Sequence, residues 1–309
     1  MLTLLGVIWG GSFFFIRVAV AEVAPFTIVL ARVLIASVMM LALLAILRLP
    51  IPRTPRALAP FLMLAILNNV IPMSLIVLGQ RQLGAGLAAI LNATTPILTV
   101  IVANATLRDE RMTPNRVLGV LIGLAGVAVI VGPSALTGAT GSFASKLAIL
   151  GASLSYAFAA VWGRRLRTTP PMVTATMQSV MATVVLLPLS LFIDRPWTGG
   201  WPSPSVVWSI IALGVLCTGI GYILYFRVLA RAGASNVSLV TMIVPVSATL
   251  LGFFFLGERL NLNDFAGMAL IALAFAAIDG RVFGLLAPNR RNRELTSAGS
   301  TAIPVGDDV

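Results

Sequence analysis

The chain has 309 residues, of which 59% are hydrophobic and 10% are charged, and its mean hydropathy is +1.02. A soluble domain carries about 25% charged residues, so this composition excludes a soluble globular protein and predicts a membrane protein. The net charge of +11 lies mainly in short connections between apolar runs, as membrane topology requires, and does not indicate binding to nucleic acid. The absence of histidine and the single cysteine, Cys217, exclude a disulfide framework and a metal site built on those residues, so we expect neither metal nor cofactor.

Ten apolar segments follow one another along the chain, each close to the roughly 20 residues that cross a bilayer as a helix. In chain order they cover residues 2–20, 26–47, 58–79, 84–106, 115–132, 147–163, 171–193, 205–229, 233–256 and 263–280. Proline clusters separate several of them, and Gly132-Pro133-Ser134 predicts a connection after the fifth. We therefore predict an all-α integral membrane protein with ten transmembrane helices.

The two ends of the chain lead to separate predictions. The first apolar run lacks a basic leader and another run follows it at once, so we predict a membrane helix and not a cleaved signal peptide. Because this run starts abruptly at Met1, we expect a few further residues upstream. Residues 287–309 are polar and predict a disordered cytoplasmic tail.

The positive residues predict the orientation of the bundle. Of the 21 Lys and Arg residues, 15 fall in the C-terminal tail or in connections on the same side of the membrane as the N-terminus. Five lie on the opposite side, and Arg32 lies within a span. Because positively charged short loops stay in the cytoplasm, we predict that both termini are cytoplasmic in a bacterial-type inner membrane.

A spacing of about 148 residues relates the two halves of the sequence. Gly84-Ala85 precedes Pro96 by the same distance at which Gly233-Ala234 precedes Pro245. Further along, Glu110-Arg111 matches Glu258-Arg259, and near the N-terminus Trp9 and Arg17 match Tyr156 and Arg164. Since each half holds five spans, an odd number, the second half enters the membrane inverted, which is a recurrent architecture of secondary transporters. The predicted repeats cover residues 1–132 and 146–286.

Several motifs resemble one transporter family. They are Trp9-Gly10-Gly11-Ser12-Phe13, Leu30-Ala31-Arg32, Thr95-Pro96 and Leu256-Gly257-Glu258-Arg259-Leu260. Over residues 4–280 the chain is similar to EamA-type transporters of the drug/metabolite transporter superfamily. The resemblance implies two inverted five-helix repeats around a central cavity. It also implies a secondary carrier that moves amino acids, other metabolites or drugs by alternating access, and of export and uptake we expect export.

Polar residues within spans are the candidate cavity residues, because burying them in lipid is costly. The candidates are Trp9, Arg32, Asn69, Asn92, Thr95, Tyr156, Gln178, Tyr225 and Thr241. Arg32 either anchors an anionic group of the substrate or extends its charge to the lipid headgroups. The amides and hydroxyls either line the cavity or form hydrogen bonds between helices. Trp9 and Tyr156 occupy matching positions near the middle of a helix, which favours a pair that faces the cavity over an interfacial belt.

Glycines and carboxylates give further predictions, about helix packing and about the way in which transport is driven. The stripes Gly119, Gly123, Gly126 and Gly6, Gly10 predict close helix packing. All ten carboxylates fall at span ends, in loops or in the tail, so we expect facilitated diffusion, exchange or potential-driven transport and not a carboxylate-based proton relay.

Three other functions remain as alternatives to a carrier. A lipid or amphiphile flippase is physically closest, and an arginine-lined lateral opening would favour it. A membrane enzyme would need a nucleophile with a base or a metal, and a channel would need charge rings or a carbonyl filter; the sequence offers neither set. The expected partners are a small-molecule substrate, the lipid bilayer and, at most, a second copy of the chain.

Overall fold

The regular structure of the chain is helical throughout the residues that the computed structural model describes, which are 1–279 apart from 53, 108, 109, 111, 137–139, 238 and 239. The helices are α1 (Leu2–Ala19), α2 (Pro25–Ile46), α3 (Pro55–Gln80), α4 (Ala85–Thr106), α5 (Pro114–Leu136), α6 (Thr140–Gly163), α7 (Pro171–Leu189), α8 (Pro204–Ala212 continued by Leu213–Ile220 and Gly221–Val237), α9 (Val240–Leu256) and α10 (Leu262–Asp279). The predicted tail at 287–309 lies outside the described residues.

The lengths and composition of these helices suit a bilayer. Eight of them are long and apolar enough to cross a membrane, and α9 and α10 are shorter apolar helices. The 17 residues of α9 reach the lower end of the roughly 17–25 residues that a span needs. Large apolar side chains cover the outside, as in Phe254 and Phe255, which are 71% and 70% exposed. The chain is therefore a multi-pass membrane protein.

Three predicted boundaries differ from the structure. Residues 233–237 belong to α8, so α9 begins at Val240 and not at 233. Gly132-Pro133-Ser134 lies inside α5, which continues to Leu136, and α6 begins at Thr140 and not at 147. Hydropathy marks where lipid begins, whereas a helix continues beyond that point as long as its backbone hydrogen bonds are made.

Two helices contain a wide π-helical turn within their length, at Ile66–Val70 in α3 and at Leu213–Ile220 in α8. A further π-helical turn, Ser190–Asp194, continues α7 at its end. Pro72 follows the first turn, and because proline has no N–H it cannot bond to the carbonyl four residues earlier. In the second turn the hydroxyl of Thr218 donates to the carbonyl of Leu213 at 2.9 Å. The two turns lie about 148 residues apart, and such turns often occur at functional sites.

A proline also divides α4 into Ala85–Asn92 and Thr95–Thr106. Pro96 leaves the carbonyl of Asn92 without its helical partner, and the hydroxyl of Thr95 donates to that oxygen at 2.7 Å. The hydroxyl of Thr94 likewise donates to the carbonyl of Leu91 at 2.7 Å. The break therefore leaves no buried carbonyl unpaired at these two positions.

The extensive helix contacts each join a helix of the first half to a helix of the second half. The extensive contacts are α5 with α10, α1 with α9, α2 with α7, α6 with the second parts of α3 and α4, α9 with the first part of α4, and α2 with the wide turn of α8. The glycine stripes pack as predicted, since a Cβ on Gly119 would lie 2.8 Å from the carbonyl oxygen of Ala274 and one on Gly10 would lie 2.8 Å from that of Val244. Close backbone approach thus joins α5 to α10 and α1 to α9.

Candidate functional site

Arg32, on α2, contacts two other helices through its guanidinium. Its Nε donates to the hydroxyl of Thr218 in α8 at 2.7 Å, and its NH1 donates to the hydroxyl of Ser12 in α1 at 2.9 Å. The hydroxyl of Thr218 is available to Arg32 because the wide turn of α8 places it there, where it also donates to the carbonyl of Leu213. Both of these acceptors are neutral, so neither compensates the positive charge of Arg32.

A chain of amide and phenol groups lies on α3, α7 and α8. The side-chain amide of Asn68 donates to Gln178 Oε1 at 3.1 Å, and Gln178 Nε2 donates to the hydroxyl of Tyr222 at 3.2 Å. Gln178 is buried, with 4% of its surface exposed. Because Asn68 belongs to the wide turn of α3, both wide turns contribute polar groups to the interior.

Aromatic side chains of α1, α6 and α8 lie near these polar groups. Trp9 of α1 stacks on Tyr225 of α8, with ring centroids 5.6 Å apart and planes inclined by 27°. Tyr156 of α6 lies within electrostatic range of Arg32 and of Tyr222. The matched residues Trp9 and Tyr156 therefore both contribute to an interior group built from both halves of the chain. We call Ser12, Arg32, Asn68, Gln178, Thr218, Tyr222, Trp9, Tyr225 and Tyr156 the central polar cluster.

Asn69 follows Asn68 in the wide turn and is fully buried. Neither the oxygen nor the nitrogen of its side-chain amide has a hydrogen-bond partner among the described residues. An unpaired buried amide costs about 1–3 kcal/mol, which an incoming polar ligand or an ordered water would recover.

The remaining predicted residues lie on α4 and α9. Asn92 accepts from the hydroxyl of Ser153 in α6 at 3.4 Å through both its backbone oxygen and its side-chain oxygen. The hydroxyl of Thr95 is used by the break in α4. Thr241 is the second residue of α9 and is half-buried. Asn92 thus joins α4 to α6, Thr95 caps a break, and Thr241 lies on α9. The other candidates lie on α1, α2, α3, α6, α7 and α8.

The sequence did not single out Ser12 or Thr218 as candidate site residues, although each bonds to Arg32. Hydroxyls inside apolar helices are common and usually bond to their own helix, so residue type gives no signal. Their positions in the sequence do give a signal. Ser12 lies one helical turn from Trp9, and Thr218 lies about 148 residues after Asn69. No group of three or more His, Cys, Asp or Glu residues that could hold a metal occurs in the described part of the chain.

Comparison with known proteins identifies the family. The model of the EamA-like transporter family matches residues 1–132 and 144–278. The chain is 26% identical over 265 residues to the uncharacterized transporter YoaV of Bacillus subtilis, which covers 85% of this chain and 90% of that protein. It is 27% identical over 277 residues to the uncharacterized inner membrane transporter YedA of Escherichia coli, covering 88% and 87% of the two chains.

A solved crystal structure has the same fold. It superposes with a TM-score of 0.64 and 19% identity, covering 90% of this chain and 95% of the other. An identity of this size establishes a shared fold alone. Together with the two matches of the family model, which cover most of the sequence, these comparisons show that the chain belongs to the EamA-like transporter family.

Proposed function

We propose that this transporter is a secondary carrier that moves small organic solutes bearing an anionic group, such as amino acids, through the centre of the bundle by alternating access. One observation carries the proposal: the central polar cluster combines a cation, amides, hydroxyls and aromatic rings from six helices of both halves. Lipid-buried polar groups of this kind mark substrate pathways. A site shared by two halves changes its accessibility when one half moves against the other.

The packing supports two inverted repeats, which we place at residues 1–132 and 146–286. Exchanging the halves replaces α1 by α6, α2 by α7, and so on to α5 and α10. Under this exchange the contact of α1 with α9 becomes that of α6 with α4, and both contacts occur. The contact of α2 with α8 becomes that of α7 with α3, and both of these also occur. The two wide turns exchange as well, since they lie in α3 and α8.

Arg32 supplies the proposed anchor for the substrate. A partly buried guanidinium bonded to neutral hydroxyls has unused attraction for an anion, and its planar donors match a carboxylate. The buried amide of Asn69 offers a donor and an acceptor without partners among the described residues. The stacked rings of Trp9 and Tyr225 offer an apolar surface for the rest of the solute. An amphipathic or zwitterionic molecule satisfies all three groups.

We place the carrier in the inner membrane with both termini in the cytoplasm and export as its direction. The excess of positive residues on one side supports this orientation, and a relative in Escherichia coli is described as an inner membrane transporter. Among the described residues no Asp or Glu lies in the central polar cluster. This supports exchange or potential-driven movement and not a carboxylate proton relay.

A flippase is the second candidate, and the apolar groove between α1, α8 and α9 is the feature that bears on it. The groove has a volume of about 300 Å³ and is lined by apolar side chains such as Phe14, Phe15 and Phe255, with Cys217 at its side. Lipid headgroups need charged or polar partners, which this groove lacks among its lining residues. The groove therefore favours a carrier with an interior site.

Counterflow in liposomes tests the proposal. Liposomes that contain purified protein are loaded with one unlabelled solute from a panel of amino acids and nucleobases, and uptake of the same radiolabelled solute is followed. We expect at least one amino acid to accumulate transiently. The Arg32→Gln variant should abolish this accumulation, because it removes the anchor, and the Asn69→Ala variant should weaken it.

A matched control is Arg167→Gln, which removes an exposed arginine after α6 and should leave counterflow unchanged. Unchanged kinetics in both Arg32→Gln and Asn69→Ala, with folded protein in each case, would contradict the assigned site. Counterflow of phospholipid probes in place of amino acids would support the flippase.

A further inference from the structure

Two ion pairs occupy matching positions in the two halves. Arg17 Nε lies 3.9 Å from Glu258 Oε1, and Arg164 NH2 lies 3.6 Å from Glu110 Oε1. Arg164 follows Arg17 by 147 residues, and Glu258 follows Glu110 by 148. Each pair joins an arginine of one half to a glutamate of the other. We call them the Glu258 pair and the Glu110 pair.

The two pairs lie at opposite ends of the bundle. The carboxylate of Glu258 contacts the first residues of α4, and Glu110 follows the last turn of α4. Because α4 spans 22 residues, these ends are separated by roughly 30 Å. The central polar cluster involves helices that pass between them.

The carboxylate of Glu258 binds the backbone at the start of α4, in the opposite half of the chain. Its Oε1 accepts from the N–H of Ala85 at 2.9 Å and its Oε2 from the N–H of Gly86 at 3.3 Å. A carboxylate at a helix N-terminus is favoured by the helix dipole. The fit is close, since a Cβ on Gly84 would lie 2.7 Å from the carboxyl carbon of Glu258.

A turn at Gly257, which requires glycine, directs the side chain of Glu258 towards the start of α4. Gly257 has φ of +65°, in the left-handed region, directly after the last residue of α9. The N–H of Glu258 then donates to the carbonyl of Gly252 at 3.0 Å.

Arg17 completes this end by binding the neighbouring helix. Its NH1 donates to the carbonyl oxygens of Gln80 and Arg81, at 2.7 and 3.2 Å, where α3 ends. A cation at the C-terminus of α3 and an anion at the N-terminus of α4 both suit the helix dipoles. Beside Glu258 lies a cavity of about 200 Å³, bordered also by Thr249 and Phe253.

The Glu110 pair is also formed by an arginine and a glutamate, but its surroundings differ from those of the Glu258 pair. Glu110 Oε2 accepts from Arg116 at 2.9 Å, within its own half. Gly233 and Ala234, which match Gly84 and Ala85, lie inside the continuous helix Gly221–Val237, whereas Gly84 is extended and precedes α4. The two ends of the bundle are therefore in different local states.

We propose that the Glu258 pair and the Glu110 pair are the two gates of the transport cycle, each closing one end of the passage. Both pairs are formed in the described conformation, and opening of one end breaks its pair while the other pair stays formed. The inference rests on the proposed carrier function. In the described conformation the Glu258 gate is fully closed, because its carboxylate also caps α4. Release of that cap lets the first part of α4 and α9 separate and opens this end.

Cysteine labelling in nanodiscs tests the gates without any solute. The background is Cys217→Ser, and the two reporters are Leu83→Cys, in the turn before α4, and Leu166→Cys, after α6. Both leucines are buried, at 3% and 8% exposure. The rate of reaction with a membrane-impermeant maleimide is measured for each reporter alone and combined with a gate variant.

Glu258→Gln should raise the labelling rate of the Leu83→Cys reporter about fivefold, as expected for the loss of one charged helix cap, and should lower that of the Leu166→Cys reporter. Glu110→Gln should have the opposite effect on the two reporters. Glu22→Gln is the matched control, because it removes an exposed carboxylate that lies beyond α1 and bonds to Ser203, and it should change neither rate.

Rates that rise together at both reporters, or that change equally in the Glu22→Gln control, would overturn the proposal. If Glu258→Gln does not yield folded protein, Arg17→Gln tests the same gate and should also raise labelling of the Leu83→Cys reporter. Absence of counterflow for every solute would count against the carrier function and leave the labelling result standing. Active counterflow with unchanged labelling would refute the gates alone.

Discussion

At the residue scale, Glu22 shows how a loop carboxylate joins distant parts of the chain. It accepts hydrogen bonds from the backbone N–H and the hydroxyl of Ser203, both at 2.6 Å, and so connects the turn after α1 to the start of α8. These bonds lower the pKa of Glu22 below its ordinary value of 4.5.

This shift predicts the dependence of stability on pH. Because the folded-state pKa of Glu22 lies below the unfolded value of 4.5, its bonds stabilise the fold above that pH and are lost as the pH falls through the folded-state pKa. The Glu22→Gln variant should therefore melt below the wild type at pH 7, and the gap should narrow towards pH 3. Melting temperatures across this range measure it. A gap that widens on acidification would contradict the assignment.

A charge within an apolar span is costly, so the sequence indicates Arg32 as a candidate, but it does not identify the partners of Arg32. Whether Arg32 extends to the headgroups or into the interior depends on hydroxyls from two other helices. Ser12 and Thr218 become informative only when packing places them together. The same applies to Glu258, whose role depends on the backbone of α4 in the other half.

At the element scale, the contact of α5 with α10 depends on glycine. A Cβ on Gly119 would lie 2.6 Å from Ile278 Cγ1 and 2.8 Å from the carbonyl oxygen of Ala274. The Gly119→Ala variant should therefore lose about 1–3 kcal/mol through overpacking, and its melting temperature should fall by several degrees.

Gly132, in the same helix, is the matched control. A Cβ there meets nothing within 4 Å, so Gly132→Ala should be neutral or should stabilise α5 by about 0.5–1 kcal/mol through helix propensity. Equal losses in the two variants would show that the helix, and not its contact with α10, is sensitive to substitution.

Hydropathy predicted an all-helical membrane protein, and residue chemistry explains the break before Pro96, where hydroxyls satisfy the freed carbonyl oxygens. Neither hydropathy nor residue chemistry predicted the wide turn of α8, which contains no proline and depends on a hydrogen bond from a hydroxyl to the carbonyl five residues earlier. The division between α8 and α9 was wrong for a related reason. An apolar sequence records burial in lipid, but it does not mark where one helix gives way to the next.

At the scale of the whole molecule, the two halves match in helix contacts, in the wide turns and in the ion pairs at the two ends. Each match joins parts of the chain about 148 residues apart or exchanges one half for the other. The recurring motifs at this spacing lead to the same proposal of two repeats. The proposed carrier requires that the second half is inverted in the membrane.

Side-specific labelling of matched loops tests the inversion most directly. Ala21, after α1, and Thr168, after α6, are exposed and 147 residues apart. In a Cys217→Ser background, Ala21→Cys and Thr168→Cys are each treated with an impermeant maleimide in spheroplasts, before and after lysis. We predict that Ala21→Cys reacts in intact spheroplasts and that Thr168→Cys reacts only after lysis. Reaction of both from the same side of the membrane would contradict the inverted architecture.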